Sequence, residues 1–451
     1  MSDDVPAHER YIVAGTKKLR CGFTTGTCAA LASRAAVQSL LGGSVPQRVA
    51  VRTPKGWRAE AAVIADGEPV PFARGGTVFR CGVRKDAGDD PDVTDGCAVF
   101  ATVRLTARAG SGVVVTVDGG AGVGRVTKAG LDQPVGAAAI NHVPRQMITA
   151  AVVDVCEAFG FAGEVAVAVD VPDGARLAAQ TFNPQLGITG GISIIGTSGV
   201  VEPMSEQALV DALAVEIRVI AAQCAGKRER PLVITPGNYG TAVAARLPAL
   251  AGMPTLKCAN FVGTALDLAA ACGFTRVVLV GHAGKFVKLA GGIMHTHSRM
   301  ADCRMELVCA HAAVCGADAE TCARIMDCAT VEAALSVLDG CGLTEAVMRS
   351  LVAAARRHVA RRVDGAYTFE LYLFTDGHGV FGGDGYPLAF GGAKGYSGRH
   401  ESTHEREEIP ADCGCPADGA EMAGEHDYVR ADMVFRGFAR RKSGTHRPDG
   451  H

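Results

Sequence analysis

The second half of the chain alternates short apolar segments with helical segments, and this alternation constrains the fold more than any other feature. The strand-like runs are "PLVIT", "PTLKCANF", "TRVVLVGH" and "AYTFELYLFT", and a helix that opens on Ser205 precedes the first of them. Strands and helices that alternate through short connections are typical of a parallel, doubly wound sheet. We therefore predict a Rossmann-like α/β domain over residues 204–375, with three further helices between Ser298 and Val363.

The first half of the chain is rich in strand-like runs and poor in helices. One helix is predicted from Thr24 to the glycines at 42 and 43, and another begins at Pro144, because proline is favoured at the first helical position. We therefore predict a β-rich α+β domain over residues 21–203, after a loose start at residues 1–20. The strand-like runs are "RVAVRT", "EAAVIA", "VFRCGVRK", "AVFATVRLTAR", "GVVVTVD" and "EVAVAVDVP".

The last part of the chain, residues 376–451, changes composition to Gly, His, Glu, Arg and Pro without any periodicity. Segments of this kind cannot bury enough apolar surface to offset the entropy of ordering. We therefore predict a tail of low order after a two-domain α/β protein.

The size and charge of the chain narrow the classes of function. Its 451 residues are more than one hydrophobic core usually organises, so two domains are expected. A net charge of −2 gives no global attraction for nucleic acid or an anionic membrane. The acidic start "MSDDVPAHER" lacks a signal-peptide pattern, and no apolar run reaches the length of a membrane span. We expect a cytoplasmic protein with reduced cysteines that binds neither nucleic acid nor a membrane.

Three strand-like runs of the second half end in loops that carry glycine beside amide, cationic or imidazole groups. Ligands of open α/β sheets bind outside the carboxyl ends of the strands, and glycine lets a ligand approach the backbone there. Ordinary tight turns also use such glycines, so the functional interpretation depends on finding three of these loops in one domain. The candidate ligand contacts are Pro236, Gly237, Asn238, Tyr239, Gly240, Asn260, Gly281, His282 and Lys285.

The His-x-His sequence at His295 and His297 is the most obvious candidate for a metal motif. Alternating histidines fit a strand or loop rather than one face of a helix, and Asp302 could add an oxygen ligand. Against a metal, Ser298 is suited to cap a helix, and Arg304 is suited to pair with the nearby acids. We therefore predict no metal bound by protein side chains.

A glycine-rich turn, "DGGAGVG", runs from Asp118 to Gly124 after the run "GVVVTV". It matches the nucleotide-binding turn of many methyltransferases that use S-adenosylmethionine, but that turn requires a helix directly after it. The next residues, "RVTKAGLDQPVG", have no amphipathic period, so we attribute the match to coincidence. Arg125 and Lys128 still suit an anionic ligand.

An acidic segment, "KDAGDDPDVTDG", starts at Lys85 and contains five aspartates. It lacks the ligand spacing of an EF-hand loop. Two interpretations stay open: an acidic turn between strands, or carboxylates that face a cation or act as a base, since neighbouring like charges raise one another's pKa.

Seven segments that occur in order over about residues 20–305 together resemble one family, the cobalt-precorrin-5B C1-methyltransferases of the CbiD type. The resemblance implies two α/β domains and methyl transfer from S-adenosylmethionine to C1 of cobalt-precorrin-5B, giving cobalt-precorrin-6A in anaerobic cobalamin biosynthesis. It also implies that cobalt enters only as part of the tetrapyrrole substrate. The tail is a departure from the family pattern. The segments are "CGFTTGTCAA", "KDAGDDPDVTDG", "GGAGVGRVTKAGL", "NPQLGITGGISIIGTSGVVEPMS", "PGNYG", "KCANFVG" and "VGHAGKFVKLAGGIMHTHS".

This resemblance assigns expected roles to the polar residues. Carboxylate arms of the macrocycle need cationic partners, for which we select Arg125, Lys128, Lys285, Lys288 and Arg299. Contacts to S-adenosylmethionine are expected from residues 236–240, Asn260 and Gly281. A proton must leave the system, and the candidate bases are Asp86, Asp90 and His282. A homo-oligomer, or transient contacts with neighbouring pathway enzymes, would be compatible with this function.

Two other functions stay open at this point. One is a metal-dependent hydrolase that uses His282, His295, His297 and Asp302. The other is a non-catalytic tetrapyrrole carrier, which would bind its ligand without turnover.

Overall fold

The computed structural model describes residues 10–69, 77–108 and 112–382. Within them the chain forms two compact units, the first ending at Ala208 and the second beginning at Leu209. Each unit combines helices with a sheet, so the fold is mixed α/β. None of the helices in this part of the chain is long and apolar enough to cross a membrane.

The first unit consists mainly of strands, with two long helices. Its strands are β1 (Tyr11–Ala14), β2 (Lys17–Arg20), β3 (Gly22–Phe23), β4 (Arg48–Arg52), β5 (Arg58–Ala65), β6 (Thr77–Arg84), β7 (Ala98–Ala107), β8 (Val113–Gly119), β9 (Arg125–Val126), β10 (Gly163–Asp170), β11 (Ile188–Thr189) and β12 (Val200–Val201). Its helices are α1 (Thr25–Gly42), α2 (His142–Ala158), α3 (Gly174–Ala178) and α4 (Asn183–Leu186).

A six-stranded sheet with the order β4-β5-β6-β7-β10-β8 forms the centre of this unit. Its neighbouring strands are antiparallel except for β10 and β8, which are parallel. Helices α1 and α2 pack together and against the sheet, and the side chains between them form one buried core. The many alanines of α1 allow this close approach, because a methyl side chain adds little thickness.

Local signals explain the ends of α1. The Thr24 hydroxyl accepts a hydrogen bond from the Thr27 backbone N–H at 3.2 Å, which caps the start of the helix. Gly43 follows the end of the helix with a φ of 74°, a left-handed conformation that favours glycine. The helix predicted from Thr24 is therefore confirmed.

Two predictions for the first unit were wrong in detail. The start of the chain is not loose throughout, because β1 and β2 pair as an antiparallel hairpin within residues 11–20. The second helix begins at His142 rather than at Pro144. Proline is tolerated there because the first turn of a helix lacks intrahelical partners for its N–H groups.

The second unit contains a five-stranded sheet surrounded by helices. Its strands are β13 (Pro231–Thr235), β14 (Thr255–Lys257), β15 (Arg276–His282), β16 (Thr368–Thr375) and β17 (Gly379–Gly382). Its helices, the first of which begins just before the unit boundary, are α5 (Glu206–Gln223), α6 (Asn238–Arg246), α7 (Val262–Ala271), α8 (Ala283–Phe286), α9 (Arg304–Val314), α10 (Ala319–Met326), α11 (Val331–Asp339) and α12 (Thr344–Val363), with 3-10 turns at Pro248–Leu250 and Val287–Gly291.

The strand order of this sheet is β14-β13-β15-β16-β17, and the first four strands are parallel. Successive side chains of a strand point to opposite faces, and both faces are covered here. Leu232 and Ile234 join a large core with α5, α7 and α9 to α12, whereas Val233 and Val278 pack against α6. Because β14 and β15 lie on opposite sides of β13, a crevice is expected where the connections diverge at the carboxyl ends.

The second unit differs from the sequence prediction in three places. The strand expected for "PTLKCANF" is limited to the three residues Thr255–Lys257. Four helices, α9 to α12, replace the three predicted after Ser298. The first residues of the predicted tail, up to residue 382, are ordered, because β17 pairs with β16 in an antiparallel register. The rest of the predicted tail, from residue 383, lies outside the described residues.

Candidate functional site

A cluster of histidines and carboxylates lies at the carboxyl ends of β15 and β16. His282 ends β15 and pairs in register with Phe374, so the segment just after β16 comes close to it. The His282 Nε2 atom is 3.5 Å from Glu332 Oε1 and 3.7 Å from Asp376 Oδ2. Among the described residues, His282, Glu332 and Asp376 form the one group of three such side chains whose ligand atoms lie within 4.8 Å of one another.

The second histidine of this cluster is His378, in the turn between β16 and β17. Its Nε2 atom is 2.7 Å from Asp339 Oδ2, and its Nδ1 atom is 3.8 Å from Glu332 Oε2. The Nδ1 atom is buried and has no hydrogen-bond partner. The Asp376 backbone N–H donates to Glu332 Oε1 at 3.1 Å, which fixes this turn against α11.

Two carboxylates of the cluster, Glu332 and Asp339, have a lowered pKa and are held in their ionised form. The hydrogen bond from His282 lowers the pKa of Glu332, although burial opposes this change. Hydrogen bonds from His378 and Thr344 lower the pKa of Asp339. No lysine or arginine of the described residues pairs with Glu332, Asp339 or Asp376, so negative charge accumulates at this edge of the sheet.

Sequence reasoning selected His282 but missed the residues around it. Glu332 and Asp339 lie at the two ends of α11, and nothing in the sequence indicates where that helix packs. Asp376 and His378 fell within the predicted tail. A signal was present for these two, because "TDGHG" directly follows the buried strand β16, as ligand-binding loops of parallel sheets do.

The loop after β13 contains the predicted cofactor contacts Pro236 to Gly240. Asn238 and Tyr239 are exposed at the start of α6, and a Cβ atom added to Gly237 would meet no heavy atom within 4 Å. Gly240 has a packing role instead, because its added Cβ would lie 2.8 Å from the Val280 carbonyl oxygen. Three of the five residues, Gly237, Asn238 and Tyr239, therefore border open space.

Two other predicted cofactor contacts serve the packing of the unit. A Cβ atom on Gly281 would lie 2.5 Å from the ring of Phe286, so glycine is required for close packing of α8. Asn260 is buried, and its side-chain oxygen accepts a hydrogen bond from the Thr296 hydroxyl at 3.2 Å. Its carbonyl accepts from the Thr296 N–H at 2.9 Å. Asn260 thus links two loops, which its polarity alone did not reveal.

Lys288 was predicted to bind the carboxylate arms of the macrocycle, but its side chain is not exposed for such contacts. Its side chain is only 1% exposed, and Nζ donates to the carbonyl oxygens of Thr296 at 3.1 Å and Ala301 at 2.8 Å. Burial lowers its pKa. Lys285 is half-buried and Arg299 is exposed, so these two remain candidates for binding an anion.

The two cations predicted in the first unit are engaged with the protein itself. Arg125 forms a two-point ion pair with Asp118 at 2.7 and 3.1 Å, and this pair raises the pKa of Arg125. Lys128 Nζ donates to the Gln185 carbonyl oxygen at 3.0 Å. Binding a carboxylate arm would require both side chains to exchange these partners.

The glycine-rich turn between β8 and β9 is a packing device. Gly122 has a φ of 72°, and a Cβ atom there would lie 1.8 Å from the Val171 carbonyl oxygen. The strand β9 follows the turn where a nucleotide-binding motif would need a helix. The prediction that its match to the methyltransferase turn is coincidental is confirmed.

The acidic segment at 85–96 is largely structural, with one exception. Asp86 accepts two hydrogen bonds from Arg20, at 2.6 and 2.7 Å, so it is a poor candidate for a free base. Lys85 is buried and pairs with Asp92 at 2.7 Å. Asp90 differs, because burial raises its pKa, partly offset by the Met204 N–H that donates to it at 3.2 Å.

The His-x-His sequence does not assemble the predicted rival metal site. The rings of His295 and His297 are 6.3 Å apart, and His297 Nδ1 accepts from the Arg299 backbone N–H at 3.0 Å. Asp302 is paired with Arg304 through bonds of 2.5 and 2.9 Å. Within residues 10–69, 77–108 and 112–382, these histidines therefore do not join His282 in a ligand group.

Two family models match the chain, CbiD at residues 12–203 and the CbiD C-terminal domain at residues 295–385. A relative from Ruminiclostridium cellulolyticum named cobalt-precorrin-5B C(1)-methyltransferase is 42% identical over 374 residues, which cover 82% of this chain and 92% of that protein. A protein of the same name from Moorella thermoacetica is 40% identical, with coverage of 84% and 99%.

A crystal structure described as cobalamin biosynthesis protein (cbiD) from Archaeoglobus fulgidus is 28% identical, covering 65% of this chain and 87% of that one. Its TM-score of 0.34 is too low to place individual residues by superposition. The sequence relationships alone decide the matter: the chain belongs to the CbiD family, whose curated members are named cobalt-precorrin-5B C(1)-methyltransferases.

Proposed function

We propose that this protein is the methyltransferase that methylates C1 of cobalt-precorrin-5B in cobalamin biosynthesis. The observation that carries the proposal is the identity of 42% with a protein of that name over 92% of its length. The matched residues include parts of both units, so the relationship is not limited to a shared fold module.

S-adenosylmethionine is the methyl donor in this proposal. The bond between the sulfonium sulfur and the methyl carbon breaks, and sulfur keeps the electron pair. The ring carbon C1 supplies the pair for the new carbon–carbon bond, giving cobalt-precorrin-6A, and a proton leaves to balance charge. Because the donor is already activated, the protein has to align the two reactants and exclude water.

The carboxyl edge of the sheet in the second unit is our candidate for the donor site. The strand order reverses at β13, as in Rossmann-like sheets that bind nucleotides at this point. Gly237 borders open space, and Asn238 and Tyr239 are exposed beside it. The carboxylates around His282 would also favour a cationic donor over the anionic arms of a macrocycle.

The macrocycle arms need cations that are not already engaged inside the protein. Arg299 is exposed and meets this condition, whereas Lys288 is buried and Arg125 is paired with Asp118. Lys285 is half-buried and remains a candidate by its position after β15. For the departing proton we favour Asp90 over Asp86, since its raised pKa improves it as an acceptor near neutral pH.

The test is a single-turnover assay of the full chain with cobalt-precorrin-5B and S-adenosylmethionine labelled in its methyl group. We expect label in the tetrapyrrole and an equal amount of S-adenosylhomocysteine. A reaction without the donor is the control. Binding of both ligands without label transfer would favour the carrier function, and metal-dependent cleavage of the macrocycle would favour a hydrolase.

A further inference from the structure

Helices α1 and α2 cover one face of the six-stranded sheet in the first unit, and the other face is open at β4 and β5. Inward side chains such as Val49, Ala59 and Val83 belong to the core beneath the helices. Because the side chains of a strand alternate between faces, the residues between them point away from that core. These outward residues of β4 and β5 are exposed or half-buried, so this part of the sheet faces solvent.

Four of the outward residues are arginines from three neighbouring strands. Together we call them the arginine face, which consists of Arg48 and Arg52 of β4, Arg58 of β5 and Arg84 of β6. Arg52 and Arg58 are directly opposite each other in the antiparallel register. Like charges in opposite positions of a strand pair are destabilising. An anion bound between these two side chains would relieve their repulsion.

The other two arginines lie on either side of Ala62. Arg48 pairs in register with Ala62 from β4, and the pairing of Val63 with Val83 brings Arg84 beside Ala62 from β6. Two strand spacings of about 4.8 Å separate Arg48 from Arg84 by roughly 10 Å, and four residues along β5 extend the arginine face by about 13 Å in the other direction. The methyl group of Ala62 makes a low floor between the long side chains, which suits a flat ligand.

The arginine face has an excess of positive charge. Glu60 is the acidic residue among the outward side chains of these three strands, and it pairs with Arg48 at 2.5 Å and with Arg58 at 2.7 Å. Arg52 and Arg84 form no ion pair with any residue that the structure describes, and they donate to backbone carbonyls instead. One carboxylate thus faces four guanidinium groups, so three positive charges are left without a counter-charge.

The arginine face is contiguous with the part of the unit that holds the favoured proton acceptor, Asp90. Arg84 directly precedes the acidic segment at 85–96, which contains Asp90. The turn that joins β4 to β5 contacts a second segment, because the Lys55 backbone N–H donates to the Ser198 carbonyl at 3.1 Å. That segment continues to Met204, whose N–H donates to Asp90 at 3.2 Å.

We propose that the arginine face binds carboxylate arms of the tetrapyrrole substrate. A guanidinium group matches a carboxylate through two parallel hydrogen bonds, and its charge does not depend on pH in the working range. The identity of the ligand rests on the proposed function. The proposal assigns to the arms a set of cations that sequence reasoning did not select, and it explains why four arginines share an open sheet surface with one acid.

The experiment is calorimetric titration of the full chain with uroporphyrin III, a planar tetrapyrrole whose arms end in carboxylates. Dicyanocobinamide is the comparison ligand, because its corrin ring carries amide arms. We expect one uroporphyrin per chain and an affinity that falls as NaCl is added. Dicyanocobinamide should bind roughly tenfold more weakly or not at all, since an amide forms no charged pair with arginine.

The main variant combines Arg52→Gln with Arg84→Gln, the two arginines without an acidic partner among the described residues. Each substitution removes a charged hydrogen bond to the ligand, so we expect about tenfold weaker binding of uroporphyrin for each and roughly 100-fold for both. Arg104→Gln is the matched control, because Arg104 is exposed on the same face of the sheet but pairs in register with Val78, away from β4 and β5. It should bind as the wild type does.

Two results would overturn the inference. One is unchanged affinity for uroporphyrin in the double variant, with the fold intact by circular dichroism, and the other is equal affinity for dicyanocobinamide. The fate of the proposed function is measured separately. Methyl transfer with an unchanged KM for cobalt-precorrin-5B in the double variant would exclude the arginine face and leave the function intact. Weakened uroporphyrin binding in the variant, without methyl transfer by the wild type, would support the arginine face and favour the carrier function.

Discussion

Replacing Lys288 with methionine separates a structural role of this lysine from the substrate-binding role that its sequence suggests. The side chain is 1% exposed and donates to two backbone carbonyls, of Thr296 and Ala301. Hydrogen bonds from a charged donor contribute about 1.5–3 kcal/mol each. Methionine keeps most of the apolar volume and relieves the burial of an ammonium group, which offsets part of the loss. We expect a net destabilisation of about 2–4 kcal/mol.

The matched control is Lys285→Met, the same substitution three residues earlier on a half-buried side chain. It should change the free energy of unfolding by less than about 1 kcal/mol. It should instead weaken binding of the macrocycle, because Lys285 remains a candidate for the carboxylate arms. The two variants therefore have opposite expected profiles.

Urea unfolding followed by circular dichroism, with hydrogen exchange of peptides from residues 284–303, measures the effect where it arises. The single tryptophan, Trp57, lies in the first unit, so its fluorescence reports on the other half of the chain. If Lys288→Met leaves the urea midpoint and the exchange rates unchanged and raises only the KM for the macrocycle, then the structural argument is refuted.

Three further predictions concern other packing and charge features. Gly281→Ala should lower the free energy of unfolding by about 1–3 kcal/mol, because the added Cβ would lie 2.5 Å from an aromatic ring. Gly237→Ala faces open space and should lower it by less than about 0.5 kcal/mol, and urea unfolding measures both variants. Burial raises the pKa of Asp90, so native stability falls as pH rises through that pKa. Because asparagine stays neutral, Asp90→Asn should have a higher urea midpoint than the wild type at pH 7 and the same midpoint below about pH 4. If Asp90 is the base, the variant should also lose about 100-fold in kcat. Asp92→Ala leaves the buried ammonium of Lys85 unpaired and should lower the free energy of unfolding by about 3–5 kcal/mol. Urea unfolding followed by the fluorescence of Trp57 measures this change.

The regular elements could be predicted because their signals are local. The apolar run of β15 and the threonine cap of α1 each lie within a few residues of the element that they define. The short strand β14 could not be delimited in this way. Only three of its residues pair with β13, and that pairing depends on a neighbour from another part of the chain.

The candidate site was predicted less well than the fold, for a physical reason. A polar residue beside a glycine has the same sequence pattern whether it binds a ligand or links two loops. Asn260 and Lys288 link loops, and their burial depends on residues 294–301 folding over them. Glu332 reaches His282 only because α11 packs beside the end of β15. Neither outcome is encoded in the spacing of nearby residues.

The charge at the edge of the sheet restricts where each reactant can bind. Glu332, Asp339 and Asp376 concentrate negative charge there, and Coulomb repulsion in a partly buried site would oppose the carboxylate arms of a tetrapyrrole. A sulfonium donor would be attracted by the same field. Asp376→Asn removes one of these negative charges, so the affinity for S-adenosylmethionine should fall, as calorimetric titration would measure. An affinity for the donor that is unchanged in Asp376→Asn would mean that the donor lies beyond the field of these carboxylates, which would argue against the donor site proposed here.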